Sequence, residues 1–244
     1  GSNSIEGYHA SLDDAAAVID DEEPLSVDEE TRLALSGYRD AMTYVLQVGR
    51  DVDASIDESQ LKALHFMMMR HVLSKNPGQW RPGPIYVERE DTHDVVYTGP
   101  DRELVPALIA EMLVRLREDR SPPLVRAAMA HLNLVMIHPF SDGNGRMARC
   151  LQSLVLARDG ILDPTFASIE EYLGRNTRAY YDILAVVGAG RWRPGNDARP
   201  WLRFCLTAHY RQARTLRRRV QETEALWLAC VELQESLRLP ERAI

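Results

Sequence analysis

The sequence predicts an all-α protein, a helical bundle carrying one β-hairpin. Three observations lead there. Apolar residues recur at helical spacing through most of the chain, the only convincing β pattern lies within residues 78–100, and two apolar helical runs bracket one polar turn at 138–149. With 244 residues, 45% of them apolar, there is ample material for a core.

Residues 8–25 are acidic and weakly helical, closed by Pro24. Ser26 or Asp28 then starts a helix to Val48, with Leu33, Leu35, Tyr38, Met42, Val45 and Leu46 near one face and Gly49 at its end. A further helix spans Glu58 to about Leu73. Its run Phe66 to Met69 reads as core, and His65 and His71 read as packed or capping side chains rather than ligands. Pro77-Gly78 breaks the pattern. Next, Pro84 to Val87 and Val95 to Tyr97, two β-rich pieces around a charged connection, form the hairpin. A lone hairpin is marginal in water, so this one should lean on the helices and be mobile, and its unpaired edge could capture an extended peptide. Val105 to Leu116 is expected as a helix with Leu108, Met112, Val114 and Leu116 on its apolar face. Ser121 should cap the run Leu124 to Ile137, with Pro122 and Pro123 at the first positions, and Met147 to Leu156 should stop at Gly160. Short helices at 168–173 and 176–187 follow, the second capped by Asn176. Last comes a pattern from Pro200 to Leu237 without internal Gly or Pro, long enough either to break once or to extend as an arm.

The bracketed turn reads His138-Pro139-Phe140-Ser141-Asp142-Gly143-Asn144-Gly145-Arg146-Met147-Ala148-Arg149. Glycines at 143 and 145 allow a sharp bend and leave bare N–H groups at the start of the second helix, which makes an anion site. Arg146 and Arg149, three apart, share a face of that helix, and their charge opposes its dipole until an anion compensates. A polyphosphate would serve. Asp142 suits a Mg²⁺ held by one carboxylate, several waters and substrate phosphates. His138 is placed to take a proton from an attacking hydroxyl.

This stretch resembles the signature of the Fic family, HPFx(D/E)GNGRxxR, and matches it at every specified position. The resemblance implies a Fic-type helical bundle with a hairpin flap, and a protein adenylyltransferase that moves AMP from ATP to a Ser, Thr or Tyr hydroxyl of a target protein. It implies His138 as general base, Asp142 as ligand of Mg²⁺ (or Mn²⁺), and Gly143, Asn144 and Gly145 as the cradle for the α- and β-phosphates. Arg146 would hold the β-phosphate and Arg149 the γ-phosphate. Kinase-like relatives that bind ATP reversed carry Lys where this chain has Gly145. Ser2 to Gly7 is similar to the family's inhibitory motif (S/T)xxxE(G/N), so Glu6 is expected to occupy Arg149 in place of the γ-phosphate; a carboxylate is the natural bidentate substitute there. The hairpin resembles the family's flap, with Ile85, Tyr86, Val87, Val95 and Val96 as target-binding residues. Tyr180 and Tyr181 occur where Fic proteins place aromatics near the adenine, although aromatics at helical spacing are as often core. In these terms residues 1–77 form the inhibitory segment with flanking helices, 78–190 the core, and 191–244 a C-terminal helical extension. Two other functions share the same residues: removal of AMP from a target with Glu6 orienting a water, and nucleotide-responsive binding without chemistry.

A net charge of −7 argues against a surface that coats nucleic acid, and Arg217-Arg218-Arg219 reads as a solvated helix face because Glu222 and Glu224 follow. Cys150, Cys205 and Cys230 have no metal-ligand spacing, which suggests reduced thiols and a cytoplasmic home. No apolar stretch is long enough to span a bilayer and no signal peptide opens the chain, so no membrane partner is expected. Gly1-Ser2 reads as a cloning remnant. Self-modification and an oligomer are both compatible with the sequence.

Overall fold

The structure, a computed structural model, describes residues 2–20, 22, 24, 26–51, 55–89, 92–161 and 168–237. Its helices are α1 (Ser2–Ile5), α2 (Leu12–Ile19), α3 (Glu29–Val48), α4 (Glu58–Met69), α5 (Val105–Glu118), α6 (Pro123–Ile137), α7 (Asn144–Arg158), α8 (Glu170–Arg175), α9 (Thr177–Gly188) and α10 (Arg199–Leu237). The strands β1 (Tyr86–Glu88) and β2 (Val95–Thr98) form one antiparallel hairpin. The all-α class with a hairpin is therefore as the sequence predicted.

The pair α6 and α7 makes the most extensive helix–helix contact, with α3, α4 and α5 against it from one side and the first half of α10 from the other, where α8 and α9 pack on α10. Two apolar clusters result. One centres on Leu61, Leu64, Met68, Ile109, Leu134, Ile137, Phe140 and Leu151, and the other on Ile5, Leu132, Leu173, Tyr180, Trp201 and Cys205. Caps explain several helix starts. Asp28 accepts the Thr31 N–H at 2.7 Å, Asp57 that of Gln60 at 2.8 Å, and Ser11 that of Asp14 at 3.0 Å, each satisfying an orphan donor. The end of α7 is set by Gly160 at φ +84°, with Ile161 N–H bonded to the Leu156 carbonyl and Gly160 N–H to that of Ala157, as a left-handed cap requires.

Several details differ from the sequence reading. Helix α4 stops at Met69, because the chain turns at Val72 and through a 3₁₀ turn at Leu73–Lys75 to bring the Gly78 N–H onto His65. Ser121 is not the cap of α6: Pro122 holds that position without a side-chain bond, and the Ser121 N–H instead donates to Asp119. In α5 the buried stripe is Val105, Ile109, Met112 and Leu113, and Val114 faces outward at 40% exposure. Asn176 stands before α9, but its amide donates back to the Tyr172 carbonyl rather than capping. Helix α10 does not break. It is buried as far as Leu216, and beyond that Val220, Leu226, Trp227, Leu228, Leu233 and Leu237 are exposed, so its distal half is an arm. Arg219 is not merely solvated, since it makes two bonds to Glu171 at 2.6 and 3.0 Å.

The hairpin leans on the bundle through β2. Tyr97 is buried, its hydroxyl donates to the Met136 carbonyl at 2.6 Å, and Thr98 bonds on both sides to Gly190 and Trp192. Pairing slips between Val87 and Glu88, and because β2 is bridged on its far side at Thr98 to Arg191, β1 is the outer edge. The hairpin's roots are tied by Arg81, a residue 3% exposed that donates to the carbonyls of Gly83 and Pro100, both at 2.5 Å, and of His138 at 2.9 Å.

Candidate active site

The site is the α6–α7 turn, and each of its side chains is held by something behind it. Helix α6 ends at His138 in the left-handed conformation, φ 53°, with the His138 N–H on the Leu134 carbonyl. The His138 Nδ1 lies 3.1 Å from the Val135 carbonyl and must donate to it, so the lone pair is on Nε2. Burial, opposed by that hydrogen bond and assisted by the Arg81 charge, lowers the His138 pKa below its ordinary value. The ring is therefore neutral near pH 7 and basic at Nε2. The turn itself is clipped by Asn144: the Phe140 N–H donates to its Oδ1 and its Nδ2 donates to the Phe140 carbonyl, both at 2.9 Å. Asn144 thus commits one amide hydrogen and one oxygen lone pair to the clip and keeps its backbone N–H for a cradle.

Beneath the turn lies Phe140, fully buried and stacked on His65 at 3.7 Å between ring centroids. The other ring edge of His65 is equally committed. Its Nδ1 accepts the Gly78 N–H at 2.8 Å, so its Nε2 is the donor to the Asp142 carbonyl at 3.0 Å, and burial pushes its pKa down to about 4. His65 is a packed residue, as expected, and it also fixes the carbonyl next to Gly143. That glycine stands at φ +71°, a conformation that favours Gly, and a Cβ there would press on the Met69 sulfur at 3.1 Å.

Helix α7 begins with Asn144 and carries both arginines inward. Arg146 and Arg149 are 1% and 2% exposed. Arg146 lies with Nη2 2.8 Å from the Met69 sulfur and its guanidinium 5.2 Å from the Tyr8 ring, while its Nε and Nη1 are buried without a partner among the described residues. Arg149 has one. Its Nη2 is 2.7 Å from the Glu6 carboxylate. Burial works against the Arg149 charge, but Glu6 and the neighbouring Tyr180 and Tyr38 hydroxyls outweigh it and raise its pKa. Glu6 follows directly on α1, which Ile5 anchors in the second apolar cluster. Gly7 at φ +85° ends the helix, with Tyr8 N–H on the Asn3 carbonyl. The carboxylate sits directly over Gly145, where any Cβ would collide with Glu6 Oε1. A lysine at 145 could not coexist with this contact.

Asp142 stands at the rim, half-buried, with Oδ1 accepting the Gly143 N–H at 2.6 Å. Among the described residues no group of three or more His, Cys, Asp or Glu side chains converges. Tyr180 and Tyr181 part company. Tyr180 is 1% exposed and walled in by His131, Trp201 and Tyr181, so neither ring face is open to a base, contrary to the stacking role considered for it. Tyr181 is 46% exposed, and its hydroxyl donates to the Ile5 carbonyl at 3.3 Å. On the hairpin Tyr86 and Val95 are exposed, and Ile85, Val87 and Val96 half-buried. The sequence reading passed over Tyr8, His131 and Gln152, and took Met69 only as core. Tyr8 alone left a trace, two residues after the candidate inhibitory glutamate.

Residues 55–156, which contain the whole turn, match the sequence profile of the Fic/DOC family. The chain carries a Fic domain. Its Fic domain is similar to that of "Protein adenylyltransferase fic-1" of Caenorhabditis briggsae, 38% identical over 117 residues, covering 45% of this chain and 20% of that protein. "Protein adenylyltransferase Fic" of Culex quinquefasciatus is 30% identical over 204 residues, 82% of this chain and 37% of the relative. The chain thus spans well under half the length of these curated relatives. Among solved structures, a Fic family protein from Desulfovibrio desulfuricans superposes with a TM-score of 0.74 at 28% identity, over 88% of this chain and 62% of that one. Fic-1 of Caenorhabditis elegans shares the Fic fold, with a TM-score of 0.68 at 22% identity.

Proposed function

We propose that this chain is a protein adenylyltransferase that transfers AMP from ATP to a hydroxyl of a target protein and is held back by its own Glu6. The observation that carries the reading is Arg146, a buried cation with two unsatisfied donors at a helix N-terminus, beside a second arginine already holding a carboxylate. Buried donors without partners are costly, and a polyphosphate satisfies them. Relatives of similar sequence bear the name of this activity.

In the reaction the target hydroxyl oxygen attacks the α-phosphorus while the bond from that phosphorus to the bridging oxygen breaks. The hydroxyl proton passes to Nε2 of His138, and pyrophosphate departs. Arg146 and the N–H groups at the start of α7 hold the β-phosphate and Arg149 the γ-phosphate, which requires Glu6 to leave. Asp142 has one carboxylate oxygen committed to Gly143 and the other available, which fits a Mg²⁺ or Mn²⁺ completed by phosphates and waters; the ion would neutralise phosphate charge. The free edge of β1, with Tyr86 exposed on it and Val95 exposed beside it on β2, is the proposed seat for the target segment, bound by strand addition. Tyr181 is the aromatic left exposed for the adenine. The partners are accordingly ATP and a protein, self-modification included. No helix of the described residues is long and apolar enough to cross a membrane. Free thiols at Cys150, Cys205 and Cys230 fit a reducing compartment such as the cytoplasm.

The test is incubation of Glu6→Gly protein with ATP labelled on either the α- or the γ-phosphate. Label retained on protein from α-labelled ATP only is the expected result; retention from γ-labelled ATP, or from neither, overturns the proposal. A second use of the same site, removal of AMP from a modified target with Glu6 orienting water, would need Glu6 where it now stands, on Arg149. Loss of that release in Glu6→Gly, while transfer rises, would establish it.

A further inference from the structure

Behind Arg149 runs a chain of buried polar groups that the transfer of AMP does not by itself require. The Tyr180 hydroxyl lies beside the Arg149 guanidinium and 3.0 Å from Nε2 of His131. His131 Nδ1 is 2.7 Å from the Oε1 of Gln152, and the Gln152 Nε2 is 2.9 Å from Nε2 of His209 and 3.7 Å from the Cys205 sulfur. His131 is fully buried, and Tyr180, Gln152 and His209 are 1%, 3% and 8% exposed.

The direction of every hydrogen bond follows from one fact. A guanidinium only donates, so the Tyr180 oxygen accepts from Arg149 and its single proton must go to His131 Nε2. That nitrogen is then the acceptor, so the proton of the neutral ring sits on Nδ1 and is given to Gln152 Oε1. The Gln152 amide is thereby oriented, and its NH₂ donates to His209. Burial keeps both histidines neutral, pushing His131 down to about 3 and His209 to about 4. No step can be reversed without leaving a buried group unsatisfied, and the arrangement ends on the arginine that holds Glu6.

We propose that Tyr180, His131 and Gln152 are positioning residues that fix the Arg149 guanidinium in the orientation needed for the terminal phosphate of ATP. Glu6 exploits the same orientation when it occupies the place. The inference rests on the proposed assignment of Arg149 to the γ-phosphate. It gives Tyr180, whose ring cannot reach a base, a role through its hydroxyl.

The experiment compares ATP with ADP, because only ATP carries the phosphate that Arg149 would meet. In the Glu6→Gly background, affinities for both nucleotides are measured by calorimetry for Arg149→Ala, Tyr180→Phe, His131→Leu and His131→Gln. Tyr180→Phe keeps the ring packing and removes the hydroxyl, so ATP should weaken by about tenfold, the size of one hydrogen bond to a charged group, with ADP unchanged. His131→Leu should do the same. His131→Gln can both accept from Tyr180 and donate to Gln152, so it should keep the preference for ATP. Equal weakening of ATP and ADP would mean a merely structural role and overturns the proposal, as does no change in Tyr180→Phe. Should Arg149→Ala itself leave the ATP-to-ADP ratio untouched, the phosphate assignment falls, and the positioning role falls with it. Unfolding temperatures recorded alongside separate both cases from loss of fold.

Discussion

At the level of single residues the turn 138–149 does two jobs, and the sequence displayed only one of them. Its chemistry is local, so the candidate base, the carboxylate and the arginines stand out from their order alone. What each side chain leans on is not local. Asn144 looked like a cradle residue, and its amide also clips the turn through Phe140. Asn144→Ala would strand a buried N–H and a buried carbonyl at about 1–3 kcal/mol each. A fall of several degrees in the thermal midpoint is expected, with nucleotide affinity lost alongside; an unchanged midpoint would mean the clip contributes nothing. His138→Ala addresses the chemistry itself. With Nδ1 held by Val135 and Nε2 free, removal of the ring should lower AMP transfer by about 10²- to 10⁴-fold and leave ATP binding nearly intact, as single-turnover kinetics with titration calorimetry would reveal. Tyr180 could not be assigned from sequence. The family resemblance put it near the adenine, but which face of α9 turned inward depended on Trp201, 21 positions away.

Among the elements, the helices were read well wherever a cap or glycine marks the end in the chain itself, as at Asp28 and Gly160. They were misread where a distant partner decides. Helix α4 ends early because His65 draws in Gly78, and the buried stripe of α5 is rotated toward Ile109 and Leu113 by its packing against α6. The hairpin was visible in composition, whereas its anchorage by Tyr97 and Arg81 was not. Helix α1 is the most informative case. Four residues with one apolar anchor would not be read as a helix by periodicity, yet Ile5 is 6% exposed and seats Glu6 on Arg149. In the proposed mechanism the seat matters as much as the carboxylate. Ile5→Asp should therefore raise self-modification toward the level of Glu6→Gly, a gain on the order of 10²-fold, although Glu6 is unchanged. Autoradiography of the two variants beside wild type checks this, and an Ile5→Asp protein as quiet as wild type would disconnect docking from control.

The molecule as a whole is built around neutral buried imidazoles, and this fixes how it responds to acid. His65, His131 and His209 are held by burial at about 4, 3 and 4, against an ordinary value of 6.5. In the unfolded chain they protonate as pH falls through 6.5, whereas in the fold they do not. Stability is therefore complete above that pH and is lost progressively as pH falls toward 4, at about 1.4 kcal/mol per pH unit for each histidine. Urea midpoints at pH 7.5 and 5.5 should differ accordingly, and a flat profile between them would contradict the buried neutral assignment. The short α1 has another consequence, this time for temperature. Four residues cannot sustain a helix in isolation, so leaving Arg149 and melting are one event for this segment. Its ordering costs about 1–2 kcal/mol of backbone entropy per residue, a quantity that grows with every degree. Warming should then release the segment before the bundle unfolds, so that wild-type activity climbs toward that of Glu6→Gly and the brake behaves as a thermometer.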